Sequence, residues 1–211
     1  MLYTSLIIAD SFPFELMMIR LLLSVVSLVG ATGLYGQVDI TSYQSFQIDN
    51  KEIVWIQIFH EPQASAEDLA AKVHNYLKTR AWVKNIQHDG NDLVADLERY
   101  RIDYKRYGGK YLNTSTVIRS GKWFGKLRVS FKEGKYRIVA YDLNYVARQV
   151  STQYGKMGTQ NHELHGSLND WALNKYRTSF KKSRFNNLDL IHFNLKNSFT
   201  LTENQIVDND W

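Results

Sequence analysis

Cysteine is absent from this 211-residue chain, proline occurs only twice, and no uninterrupted apolar run reaches the length of a bilayer. Without cysteine there are no disulfides, no thiolate metal sites and no cysteine nucleophile, and the lipid-bearing cysteine of a bacterial lipoprotein is missing too. With so few prolines and no glycine-serine or charge-block tract, nothing marks an internal linker, and the chain reads as one domain with tails. No Gly-x-Ser-x-Gly elbow, phosphate-binding loop or dinucleotide glycine fingerprint occurs, which lowers the case for an enzyme; no catalytic residue, cofactor or metal is assigned.

What is present is ordinary globular material, 44% hydrophobic and 22% charged, enough for one core. The net charge of +5 and a pI near 9.2 suit contact with anionic surfaces. Near the N-terminus Met17-Met18-Ile19-Arg20 leads into the apolar stretch Leu21 to Val29, followed by Gly30, Ala31, Thr32 and Gly33. A cationic start, a short apolar run and a small-residue exit have the order of a secretory signal over residues 1–36. Cleavage falls after Gly33 or after Gly36. The run is short of the ~20 residues that span a bilayer, so it reads as a removable signal that leaves no stable membrane span. Asp10 and Glu15 ahead of it are unusual, and a start at Met17 or Met18, making residues 1–16 extraneous, accounts for them. The expected product is an exported protein, periplasmic or extracellular.

Beyond a lead over 37–52, Ile53 to Phe59 is nearly continuous apolar and β-branched sequence, the pattern of a covered strand. Ser65-Ala66-Glu67-Asp68 is a capping-box start, and Leu69, Val73 and Leu77 fall four apart, predicting a helix from about Ser65 to Arg80. Asp89-Gly90 predicts a two-residue hairpin loop that sets Ile86 opposite Leu93 and Trp82 opposite Leu97. The apolar phase shifts after Glu98, which requires a bulge or bend near Arg99. Glu133-Gly134 predicts a second hairpin with Phe131 opposite Tyr136, Val129 opposite Ile138 and Leu127 opposite Ala140, all on one face. Ser167 caps a predicted helix over about 168–182, with Leu168, Trp171, Ala172, Tyr176 and Phe180 at helical spacing. Leu188 to Leu195 reads as a last strand or extended segment, and 205–211 as a loose tail. The fold class is α+β: a curved antiparallel sheet with helices on one face and a polar, aromatic opposite face open to a ligand.

The signal, the covered strand, the capped helix, Trp82 and above all Phe131-Lys132-Glu133-Gly134-Lys135-Tyr136-Arg137 resemble an exported bacterial domain of unknown function, family 4468, found chiefly in Bacteroidetes. The family's hairpin carries Lys-Asp-Gly-Arg-Tyr-Arg where this chain has Lys132 to Arg137. The resemblance covers roughly 53–146 and implies a fold like the TATA-box-binding protein, with 147–204 as a C-terminal extension. It brings no activity, cofactor or catalytic residue, and likeness of fold to a DNA-binding protein does not imply DNA binding.

Tyr100, Tyr104 and Tyr107 interleave with Arg101, Lys105 and Arg106, the mixture of rings and cations that holds anionic or planar groups; these six form the candidate binding surface. Arg99, Lys110 and Tyr111 extend it. Lys175, Arg177, Lys181, Lys182 and Arg184 make the late helix basic. His162-Glu163-Leu164-His165 is the nearest approach to a metal site, but its histidines are three apart among glycines, the setting of a solvated loop. His88, Asp89 and Asp92 cluster at a hairpin tip for reasons of turn chemistry. The leading expectation is a noncatalytic envelope module that binds a protein or glycan. Binding of anionic polymers or lipid headgroups is the alternative, and a metal-dependent hydrolase using His162, Glu163 and His165 the third. Export argues against nucleic acid as a routine partner.

Overall fold

The computed structural model describes residues 39–152 and 159–201. The apolar segment of 1–36 and the tail 205–211 lie outside the described residues. No described helix is long and apolar enough to cross a membrane.

The strands are β1 (Ser42–Tyr43), β2 (Phe46–Asp49), β3 (Glu52–His60), β4 (Val83–Asp89), β5 (Asp92–Tyr100), β6 (Lys122–Lys132), β7 (Lys135–Thr152) and β8 (Thr159–Ser167). The helices are α1 (Ala66–Lys78), α2 (Thr116–Ser120), α3 (Leu168–Ala172) and α4 (Phe185–Phe199), the last preceded by a 3-10 turn at Lys182–Arg184. The strands form one open antiparallel sheet in the order β1-β2-β3-β7-β6-β5-β4. The long β7 is bordered on one side by β6 and on the other by β3 and then β8. This is the α+β architecture expected, an open curved antiparallel sheet with helices, folded as a single domain.

Alternation explains which face is buried. Ile53, Trp55, Leu93, Leu97, Leu127, Val129, Ile138 and Ala140 point inward, with α1 and α4 contributing to the same core. Ser65 Oγ accepts the Asp68 N–H at 3.1 Å, and Leu69, Val73 and Leu77 form the buried stripe of α1. The Glu133-Gly134 hairpin has the predicted register, with Phe131, Val129 and Leu127 opposite Tyr136, Ile138 and Ala140.

Three expectations are corrected. In the β4–β5 hairpin Asp89 pairs with Asp92 and His88 with Leu93, so the loop is Gly90-Asn91. Gly90 takes φ 61° as the first loop residue and not the second, and a bulge between Lys84 and Gln87 restores inward packing at Val83–Leu97. The helix expected over 168–182 ends at Ala172. Asn174 accepts the Thr178 N–H at 2.9 Å and donates to Thr178 Oγ at 3.0 Å, a local turn that competes with helix, and Arg177 follows at φ 56°. Leu168, Trp171, Ala172 and Phe180 are buried as expected, whereas Tyr176 is exposed. The segment read as a strand, Leu188 to Leu195, is α4, with Leu188, Ile191, Leu195 and Phe199 on its buried face.

The boundary drawn at 146/147 falls inside β7, and residues of the lead (Phe46) and of the extension (Leu188, Leu195) share one core with 53–146. The end of α4 is held by three tyrosines from three elements. Tyr76 donates to the Ser198 carbonyl at 2.9 Å, Tyr136 donates to the Phe199 carbonyl at 2.7 Å, and the Tyr100 hydroxyl bonds Ser198 Oγ at 2.9 Å. Two of these satisfy carbonyls that a helix C-terminus leaves without intrahelical partners.

Candidate cationic cleft

The site begins with a register slip. Continued alternation after Leu97 would point Arg99 inward and Tyr100 outward. Instead the β5–β6 pairing shifts between Leu97–Gly125 and Tyr100–Trp123, and Arg99 adopts φ 55°. Glu98 and Arg99 therefore both face solvent, while Leu97 and Tyr100 are 1% and 4% exposed. The bulge near Arg99 is the one its apolar phase predicts, and a left-handed non-glycine residue costs about 1–2 kcal/mol.

From Arg101 the chain leaves the sheet and is fastened to α4 by two buried asparagines seven residues apart, two turns along one helix face. Asn194 Oδ1 accepts the Asp103 N–H at 2.9 Å, and Asn187 Oδ1 accepts the Ser115 N–H at 2.9 Å. Asn194 also donates to the Leu190 carbonyl at 2.8 Å. Tyr107 stacks on Phe193 with centroids 5.9 Å apart. The segment is thus a braced wall standing beside the helix.

Between this wall, the base of the β4–β5 hairpin and the end of α4 lies an open cleft of about 690 Å³. Lys84, Arg99, Arg101 and Arg106 line it against two carboxylates, Glu98 and Asp103. None of these four cations makes an ion pair among the described residues, and the side chain of Asn197, also in the lining, makes no hydrogen bond there. Trp82 forms the apolar floor, its ring set edge-on to Tyr100 at 4.9 Å and Phe199 at 5.5 Å.

Of the six residues read from sequence, Arg101, Arg106 and Tyr107 border this cleft by exposed or half-buried side chains. Tyr100 borders it too but is a core residue; burial raises the pKa of its hydroxyl, which stays protonated and bonded to Ser198. Tyr104 is half-buried against the core and Lys105 is exposed, and neither lines the cleft. Sequence reasoning missed Lys84, the floor role of Trp82, and Asn194, Asn197 and Ser198. The α4 contributions follow from helical spacing at Leu188, Ile191, Leu195 and Phe199, masked by asparagines of low helix propensity.

The other candidates behave differently. Two cations of the outer sheet face are paired: Lys126 with Asp96 at 2.7 Å, and Arg128 with Asp89 at 2.6 Å and Asp92 at 3.0 Å. Asn85 and then Lys126 hold the Asp96 carboxyl below its ordinary pKa. His162 to His165 lie on β8 and not in a loop, where residues three apart point to opposite faces; His165 instead approaches Glu163 at 3.5 Å. Among the described residues no three His, Cys, Asp or Glu side chains gather closely enough to hold a metal ion. Three of the five cations near 175–184 are engaged: Arg177 pairs with Asp170 at 2.6 Å, Lys181 donates to the Asp170 carbonyl at 3.0 Å, and Arg184 covers the Trp171 ring at 4.9 Å.

No family model and no curated protein matches the chain. Among solved structures it is similar to a TBP-like protein from Parabacteroides distasonis, with 12% identity over 74% of this chain and 93% of that one and a TM-score of 0.41. It is also similar to a DUF4468 family protein from Bacteroides ovatus, with 12% identity over 78% of this chain and 96% of that one and a TM-score of 0.43. The second carries the family name that the hairpin sequence resembles.

Proposed function

We propose that the chain is an exported, noncatalytic binding module whose ligand sits in the cleft beside residues 101–107 and bears clustered anionic groups. One observation carries the reading: four cations without ion-pair partners among the described residues face a single open cleft, whereas Lys126 and Arg128 on the outer sheet face are paired with aspartates. The cleft's size lies within the roughly 300–1,000 Å³ of small-ligand sites. The Arg99 backbone, held left-handed, gives up stability to present a guanidinium there. Export is supported by the cationic, apolar and small-residue order of the N-terminal sequence.

The test is fluorescence anisotropy with a labelled sulfated tetrasaccharide. Binding weakens about tenfold in the variant Arg99→Gln/Arg106→Gln, and by a similar factor when salt rises from about 0.05 to about 0.5 M. Affinity that ignores both changes contradicts the reading.

A further inference from the structure

A second cleft of about 710 Å³ adjoins the first, and Arg101 and Asp103 line both. Its far side is built by the end of α2, the start of β6 and the paired strands β7 and β8, which supply Lys122, Arg148 and Glu163. Like the first, it holds four cations against two carboxylates, and Arg101 stands at the divide. Lys122 and Arg148 make no ion pair among the described residues. Excess positive charge therefore continues past the wall of the first cleft into the second.

We infer that the ligand is a linear acidic polysaccharide lying across Arg101 with anionic groups in both clefts; this rests on the reading of the first cleft given above. A small anion needs one such cleft, whereas a chain with regularly spaced charges engages two at once, the second contact being intramolecular and raising affinity without new chemistry. The aromatic groups argue for sugar over single-stranded nucleic acid, which binds by stacking bases on open rings. In the first cleft the rings are engaged with one another and with the core: Tyr107 stacks on Phe193, and Trp82 meets Tyr100 and Phe199 edge-on. Asn197 offers amide hydrogen bonds to hydroxyl groups.

Heparin-derived tetrasaccharide and dodecasaccharide are titrated against the full chain and three variants. The dodecasaccharide binds about tenfold tighter. Lys122→Gln/Arg148→Gln brings the dodecasaccharide down to the affinity of the tetrasaccharide. Arg101→Gln weakens both, as does Arg99→Gln/Arg106→Gln. A Lys122→Gln/Arg148→Gln variant that retains full dodecasaccharide affinity overturns the two-cleft inference while the single-cleft reading stands. Failure of Arg99→Gln/Arg106→Gln to affect even the tetrasaccharide removes the underlying reading itself. Tighter binding of a charge-matched oligothymidylate or polyglutamate overturns the assignment to a saccharide.

Discussion

Trp55 donates its indole N–H to His192 Nδ1 at 3.3 Å in the middle of the core, a bond that requires that nitrogen to be unprotonated. Burial first, then Lys196, lowers the His192 pKa below its ordinary 6.5, and Asp189 opposes them. His74 on α1 is lowered likewise, by burial, Lys78 and then His88, whose ring lies 5.4 Å away on β4. A histidine with a depressed folded pKa binds fewer protons folded than unfolded, so its stabilisation is complete above about 6.5 and is lost as pH falls toward the folded value. The melting temperature is therefore expected to drop between pH 7.5 and 5. His192→Gln should melt lower at pH 7.5 but lose less on acidification, and thermal denaturation across pH checks both. Arg99 makes the opposite kind of prediction. Arg99→Gly relieves the φ of 55° and is expected to stabilise the fold by about 1 kcal/mol in urea denaturation, while weakening the tetrasaccharide.

The element whose placement shapes the cleft is α4, and its anchors are polar as well as apolar. Tyr136 donates to the Phe199 carbonyl and accepts the Leu201 N–H at 3.3 Å; its side chain is 1% exposed. Tyr136→Phe removes the hydroxyl but keeps the ring stacked on Phe59 at 4.9 Å, leaving two backbone groups without this partner. The expected cost is about 1–3 kcal/mol, read as a shift of the urea midpoint with unchanged slope. Elements whose pattern and capping agree were legible in sequence: α1, the β6–β7 hairpin and the bulge at Arg99. Two acid-glycine pairs that read alike proved different, because Gly134 is the second loop residue of its hairpin and Gly90 the first. In the shifted register Asp89 lies opposite Asp92, and Arg128 bonds both, a tertiary contact no local pattern contains. The helix α4 was hidden for a related reason. Asn187 and Asn194 disfavour helix locally but are buried and fasten the 101–115 segment, so packing overrides propensity. Tyr100, Arg101 and Tyr107 could be grouped from sequence; Lys84 and Asn197 join them only through the sheet edge and α4.

For the whole molecule the decisive feature is where net charge is left over. The chain carries +5, yet the outer face of the sheet cancels Lys126 and Arg128 with aspartates, while the cations at the Arg101 end make no ion pairs among the described residues. Cations left unpaired around the cleft attract anions to it, and their reach shortens as salt screens them. The most direct measurement is mapping of backbone amide chemical shifts as the sulfated tetrasaccharide is added to the isotopically labelled protein. The account predicts saturable shifts concentrated at Lys84, Glu98 to Asp103, Arg106 and Asn197, with the outer face around Ile58 and Arg137 unmoved. Shifts centred on that outer face, or none at millimolar ligand, would contradict it.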